Sequence, residues 1–257
     1  MTDPTTIDGF LGGRLQLAQP ADRGHRAGLD AVMLAAALPE GSRGRVADLG
    51  AGVGAVGFCV AARLGDVTVT FAERAPATLE LLARNIAANA PALGDRFSIA
   101  AVDIEAPAAV REAAGLTPAA FDHVLMNPPF HAAGRGRASP DPARAEAHVA
   151  GPETLERWVR VAAGLLGARG TLTMIWRADG LGDVLAALDR RFGGIDVLPL
   201  FPHAFEPAGR VILRGRIGSR APLALLPGFV LHEPDGGFTP AAAAVLAGAP
   251  LPALWRC

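Results

Sequence analysis

The run FDHVLMNPPF ends in one asparagine, two prolines and an aromatic ring, at Asn127, Pro128, Pro129 and Phe130. Neither proline can donate to a sheet ladder, so a strand must stop here. A proline also holds the residue before it extended, which restricts Asn127. A polar side chain and a ring fixed at a strand mouth suit the gripping of a planar amide or amine.

A second group lies earlier in the chain. DLGAGVGAVG (48–57) joins an apolar run to a helical one, and its glycines allow a sharp turn and the close approach of a ligand. The loop also fits a dinucleotide fingerprint through Gly50, Gly52 and Ala55, so on its own it does not separate nicotinamide cofactors from S-adenosylmethionine. Asp48, Glu73 and Asp103 each stand near the end of a β-rich run. Glu73 follows Asp48 at about the spacing where a carboxylate takes ribose hydroxyls. Asp103 suits an adenine amino group, and Ile104 offers an apolar wall beside it. Ligands of open α/β sheets bind at the carboxyl ends of strands, so the three acids are expected to line one crevice.

These residues need a parallel sheet to bring them together, and the chain has the pattern for one. Strands are expected at 45–50, 67–73, 97–104, 121–127 and 170–176, with helices at 54–65, from Pro76 through Asn89, at 152–170 and at 181–194. Strands alternating with helices give a doubly wound α/β sheet of Rossmann-like form. The runs 195–202 and 209–218 are joined by too short a link for a parallel crossover and are expected as a C-terminal antiparallel hairpin. Residues 1–44 then form an opening segment, 45–218 the catalytic domain, and 219–257 a proline-rich tail packed over the sheet end.

The motif after the fourth strand resembles the (D/N/S)-P-P-(Y/F/W) signature of class I methyltransferases acting on planar nitrogens. The resemblance implies that Asn127 and the Pro128 carbonyl accept hydrogen bonds from a target NH2, while Phe130 stacks on its plane. Two such acceptors stabilise the charge developing on the nitrogen. QPADRGHRAGLDAVMLAAALP (19–39), with Arg26, Gly28 and Asp30 matching an R-x-G-x-D pattern, is similar to the entry segment of the small-domain methyltransferase family, above all the bacterial enzymes making N6-methyladenine in a valine tRNA. GTLTMIWRADGL and the tail LLPGFVLHEPDGGFTPAAAAVL extend that likeness through most of the chain. It implies S-adenosylmethionine held by Arg26, Asp30, Asp48, Gly50, Gly52, Gly54, Glu73, Arg74, Asp103, Ile104 and Asn127. Asp30 could equally cap the helix AVMLAAAL. N-P-P-F-H, with His131 after Phe130, also resembles the ribosomal guanine-N2 methyltransferases.

The formal net charge of −1 argues against a general coat of nucleic acid, so an RNA partner, tRNA above all, would be held by a local patch. Arg135, Arg137 and Arg144 follow the Asn-Pro-Pro motif in a stretch read as a lid, and with Arg14, Arg23 and Arg26 they could form one basic rim. Cys59 and Cys257 form no ligand cluster, no metal site is expected, and the start lacks a signal peptide. No apolar run is long enough for a membrane span, so a cytoplasmic monomer or weak homodimer is expected. The rival readings are guanine-N2 or glutamine-amide methylation, a non-catalytic RNA-binding factor, and a nicotinamide oxidoreductase.

Overall fold

Runs of branched apolar residues alternate with alanine- and leucine-rich runs along the chain, and the structure converts this alternation into a sheet covered on both faces. The computed structural model of the protein describes residues 5–21, 27–128 and 152–251. In chain order the elements are β1 (Thr5–Phe10), β2 (Leu15–Pro20), α1 (Leu29–Ala36), β3 (Gly44–Leu49), α2 (Ala55–Arg63) and β4 (Val67–Glu73). There follow α3 (Pro76–Leu93), β5 (Phe97–Ala101), α4 (Ala108–Ala113), β6 (Phe121–Met126), α5 (Pro152–Leu165) and β7 (Leu166–Arg177). The last are α6 (Leu181–Leu188), β8 (Phe192–His203), β9 (Arg210–Ile217), β10 (Ala224–Leu225), β11 (Phe229–His232) and α7 (Pro240–Leu246).

The main sheet has the order β10-β8-β9-β7-β6-β3-β4-β5, with β11 also paired to β8. β5, β4, β3, β6 and β7 run parallel, and β9 runs against both β7 and β8. The antiparallel hairpin is therefore present, and its second strand is inserted between the first and β7. Residues 46–49 of β3 and 124–126 of β6 are buried, as expected for parallel strands covered on both faces. One core joins the sheet to α1, α2, α3 and α7, and includes the Phe58, Phe71 and Phe97 rings with centroids 5.0 to 5.7 Å apart. The other lies under α5 and α6.

Several expected boundaries are corrected. The third parallel strand ends at Ala101 rather than 104, because Asp103 already accepts from the Glu105 N–H in a tight turn. The helix expected over 152–170 stops at Leu165. Gly167 and Gly170 then lie within β7, where the Ala119 carbonyl would crowd a side chain on Gly167 at 3.2 Å. α6 ends at Leu188, residues 189–191 form a turn, and residues 192–194 open β8. The tail adds β10 and β11 to the β8 edge instead of covering the sheet end. The opening segment contains a hairpin, β1–β2, that the sequence reading did not anticipate.

Candidate active site

The glycine loop begins where β3 stops. Gly50 and Gly54 have φ of 69° and 90°, which favour glycine, and the Gly50 and Ala51 amides both donate to the Ala72 carbonyl at the end of β4. At Gly50 a methyl group would lie 2.7 Å from the Trp158 ring, and Ile104 Cδ1 is 4.0 Å from the same point. Gly50, Ile104 and Trp158 thus come together at one place, with flat and apolar groups around bare backbone. Trp158 was missed in the sequence. It lies on α5 beside the Leu155, Val159 and Ala162 stripe, where it reads as an ordinary core residue.

Glu73 is held as a fixed carboxylate. Its Oε2 accepts from the Gly52 N–H at 3.0 Å, and its Oε1 accepts from the Arg74 and Ala75 amides, each at 2.8 Å. Arg74 crosses to Asp103 at 2.8 Å, and the Glu105 N–H donates to the same carboxylate. Burial pulls the Asp103 carboxyl upward, but the Glu105 amide and Arg74 together hold it below the ordinary carboxylate value. The same pair raises Arg74 further. Two strand ends are thereby tied into one acidic rim.

Asp48 departs from the expected crevice lining. It is buried and accepts from the Gly57 N–H at 3.0 Å, so it braces the first turn of α2 from behind the loop. A further brace was not anticipated: buried Asn85 donates to the Val53 carbonyl and pairs with both the N–H and the carbonyl of Ala18, joining α3, the loop and β2. Asp30 does not cap α1, whose N-cap is Gly28; instead it forms an ion pair with Arg210 at 2.9 Å. Arg14 donates to the Ala62 carbonyl. Arg23, Arg26, Pro129, Phe130, His131, Arg135, Arg137, Arg144 and Cys257 lie outside the described residues.

Asn127 leaves β6 next to Gly50, because Met126 and Leu49 are partners in the parallel register. Its Oδ1 is sealed from solvent, and among the described residues no donor reaches it. A buried acceptor without a donor costs about 1–3 kcal/mol, so the strand end carries an unmet demand for an N–H or O–H. The fit to S-adenosylmethionine rests on these features. The Glu73 and Asp103 carboxylates can take hydroxyl and amino groups, Ile104 and Trp158 can hold a flat ring, and the loop backbone allows close approach. Among the described residues no group of three or more His, Cys, Asp or Glu is placed to hold a metal, and no helix is long and apolar enough to cross a membrane.

The nicotinamide reading gives way at the sheet itself. A strand running against its neighbours is inserted one place from the edge of the five-stranded parallel block, unlike the continuous order of dinucleotide-binding sheets. Comparison with known proteins agrees. Residues 26–199 match the family described as methyltransferase small domain. A solved structure from Agrobacterium tumefaciens, described as a predicted O-methyltransferase (Atu636), is 32% identical with a TM-score of 0.72, over 85% of this chain and 96% of that one. The T. thermophilus 16S rRNA N2 G1207 methyltransferase RsmC, in complex with AdoMet and guanosine, is 23% identical at TM-score 0.55, over 83% of this chain and 50% of its own. M. jannaschii TYW2 in complex with AdoMet is 13% identical at TM-score 0.55, over 84% and 87%. At such identities the latter two speak for the fold alone. With the match spanning more than half of its length, the chain belongs to the methyltransferase small domain family, S-adenosylmethionine-dependent enzymes built on the class I fold.

Proposed function

We propose that the enzyme methylates the exocyclic N6 amine of an adenine in tRNA. The observation that carries this reading is the buried Oδ1 of Asn127 beside the glycine loop, which no donor reaches among the described residues. An adenine amine supplies the missing donor. The second hydrogen of the NH2 would go to the Pro128 carbonyl, and Phe130 would pack on the base. An exocyclic amine is a poor nucleophile because its lone pair is delocalised into the ring. Acceptors on both hydrogens favour the pyramidal nitrogen and take up the positive charge that grows on it. S-adenosylmethionine, when bound, supplies an electrophilic methyl on a sulfonium. The chain's own part is to hold the amine in line with that methyl, an effect worth up to about 7–11 kcal/mol. No strong base is needed, since the product ammonium loses its proton readily.

A second reading, guanine-N2 methylation of ribosomal RNA, draws support from His131 after the motif. Labelled methyl transfer into fractionated tRNA and ribosomal RNA, followed by nucleoside analysis, separates the two. N6-methyladenosine in tRNA is the expected product. N2-methylguanosine, or a methyl on a ribose oxygen, would replace the adenine assignment. Asn127→Ala should lower kcat by about 10²-fold or more, a larger effect than any accompanying loss of S-adenosylhomocysteine affinity. Near-normal turnover in that variant would remove Asn127 from the chemistry.

A further inference from the structure

The two apolar walls that converge on Gly50 come from different elements. Ile104 sits in the turn after β5, and Trp158 lies in the first half of α5. One core runs beneath both. Towards the surface, however, α4 and α5 stand apart around a cavity of about 360 Å³, bounded by Ala108, Arg111 and Leu116 on one side and by Val161 and Gly164 on the other. The outer edge of the turn is therefore not packed against α5, and side-chain packing there does not set its distance from the helix.

An ion pair spans this gap. Arg157 Nε donates to Glu105 Oε2 at 2.5 Å. Arg157 is the chain neighbour of Trp158, and Glu105 is the chain neighbour of Ile104, so each end of the pair adjoins one wall. Both partners are held from their own side. Arg157 Nη2 donates to Thr154 Oγ1 at 3.1 Å, and Nη1 lies 3.7 Å from Glu153 Oε2, both about one turn back on α5. The Glu105 N–H donates to the Asp103 carboxylate at 2.8 Å, and Arg111 of α4 donates to the carbonyls of Ile104 and Ala106. With side chains 40% and 31% exposed, the pair is partly screened and weak as a source of stability. A spacer needs geometry more than energy, and the rigid guanidinium supplies it. We propose that Arg157 and Glu105 are positioning residues, a strut that sets the gap between Ile104 and Trp158 and so the fit of the cofactor's adenosine. This holds whichever acceptor is methylated.

Calorimetric titration of the full-length enzyme with S-adenosylhomocysteine tests the strut. Arg157→Met and Glu105→Gln should each weaken binding by about fivefold, and the double variant should bind no more weakly than either, because the two groups act as a unit. Methylthioadenosine, which lacks the amino-acid end, should lose affinity by the same factor. Arg160→Met removes a like charge about one turn further along α5 and should leave both affinities unchanged. In the wild type the ligand should shift indole emission, and Trp158→Phe should remove that shift. Wild-type affinity in Arg157→Met, additive losses in the double variant, or an equal loss in Arg160→Met would overturn the strut. So would a loss that spares methylthioadenosine, since the pair would then act on the amino-acid end. An emission shift that persists in Trp158→Phe would take Trp158 out of the wall, and the strut would fall with it.

Discussion

Burial pushes the Asp48 carboxyl up to about 7; the Gly57 N–H pulls it back, and the negative charge of Glu73 pushes it up again. The folded protein therefore binds this proton more tightly than an unfolded chain does. The resulting stability is fully present below the ordinary value of 3.8 and is lost as pH rises through about 7. Asp48→Asn keeps an oxygen for the Gly57 amide and cannot ionise. Its melting temperature, measured against wild type, should show little difference in acid and a gain that grows towards a pH of about 8, each kcal/mol being worth about 2–4 °C. An equal difference at all pH values would show that the Asp48 carboxyl titrates alike in the folded protein and the unfolded chain. At this scale the sequence was informative where chemistry dictates residue type. The two prolines behind Asn127 and the distance of Glu73 from the loop singled both out, and both stand at strand ends beside the glycine loop. Asp48 was not so legible, since a carboxylate ending a strand looks the same whether it faces a ligand or a helix. Trp158 was hidden by its place on a stripe of core residues.

Arg96 shows how elements are held in place. It donates to the carbonyls of Leu93, Leu64, Gly65 and Ala61 at 2.7 to 2.9 Å, closing the carboxyl ends of α2 and α3 with one guanidinium. Those terminal carbonyls lack helical partners, and a cation there also meets the negative end of each helix. Lysine carries the charge but not the planar fork. Arg96→Lys should therefore still lower stability by about 1–2 kcal/mol, measured by urea denaturation, and Arg96→Ala by more. A variant as stable as wild type would mean that solvent serves these carbonyls equally well. The central βα alternation was legible because strands such as β3, β4 and β6 are short apolar runs set between alanine- and leucine-rich stretches. The β1–β2 hairpin was not: Ile7 is exposed and Leu15 buried across a turn at Leu11–Gly13, a pattern too brief to separate from a loop. α4 is a six-residue helix with no buried side chain, so it carries no periodic signal.

Asp30 and Arg210 join the first helix to a strand 180 residues later. The side chains are 27% and 37% exposed, so solvent screens the pair and its contribution is about 1 kcal/mol or less. Arg210→Ala should cost little stability, and that cost should shrink with added salt. A larger, salt-independent loss would show instead that Arg210 holds α1 in place through contacts other than charge. S-adenosylhomocysteine titration of Asp30→Asn separates the ion pair from the cofactor role that the family resemblance implies, since only the latter would weaken affinity by more than about tenfold.

The reversed strand β9 has a bearing on how the protein is made. During synthesis β7 leaves the ribosome well before its antiparallel partner, and meanwhile presents a long, apolar, open edge. β8 emerges in between and could seize that edge first, giving a nascent chain with two strands in the wrong order. Ribosome-bound chains stalled with β8 outside the exit tunnel and β9 still inside should therefore recruit chaperones, and chains stalled with β9 also outside should not.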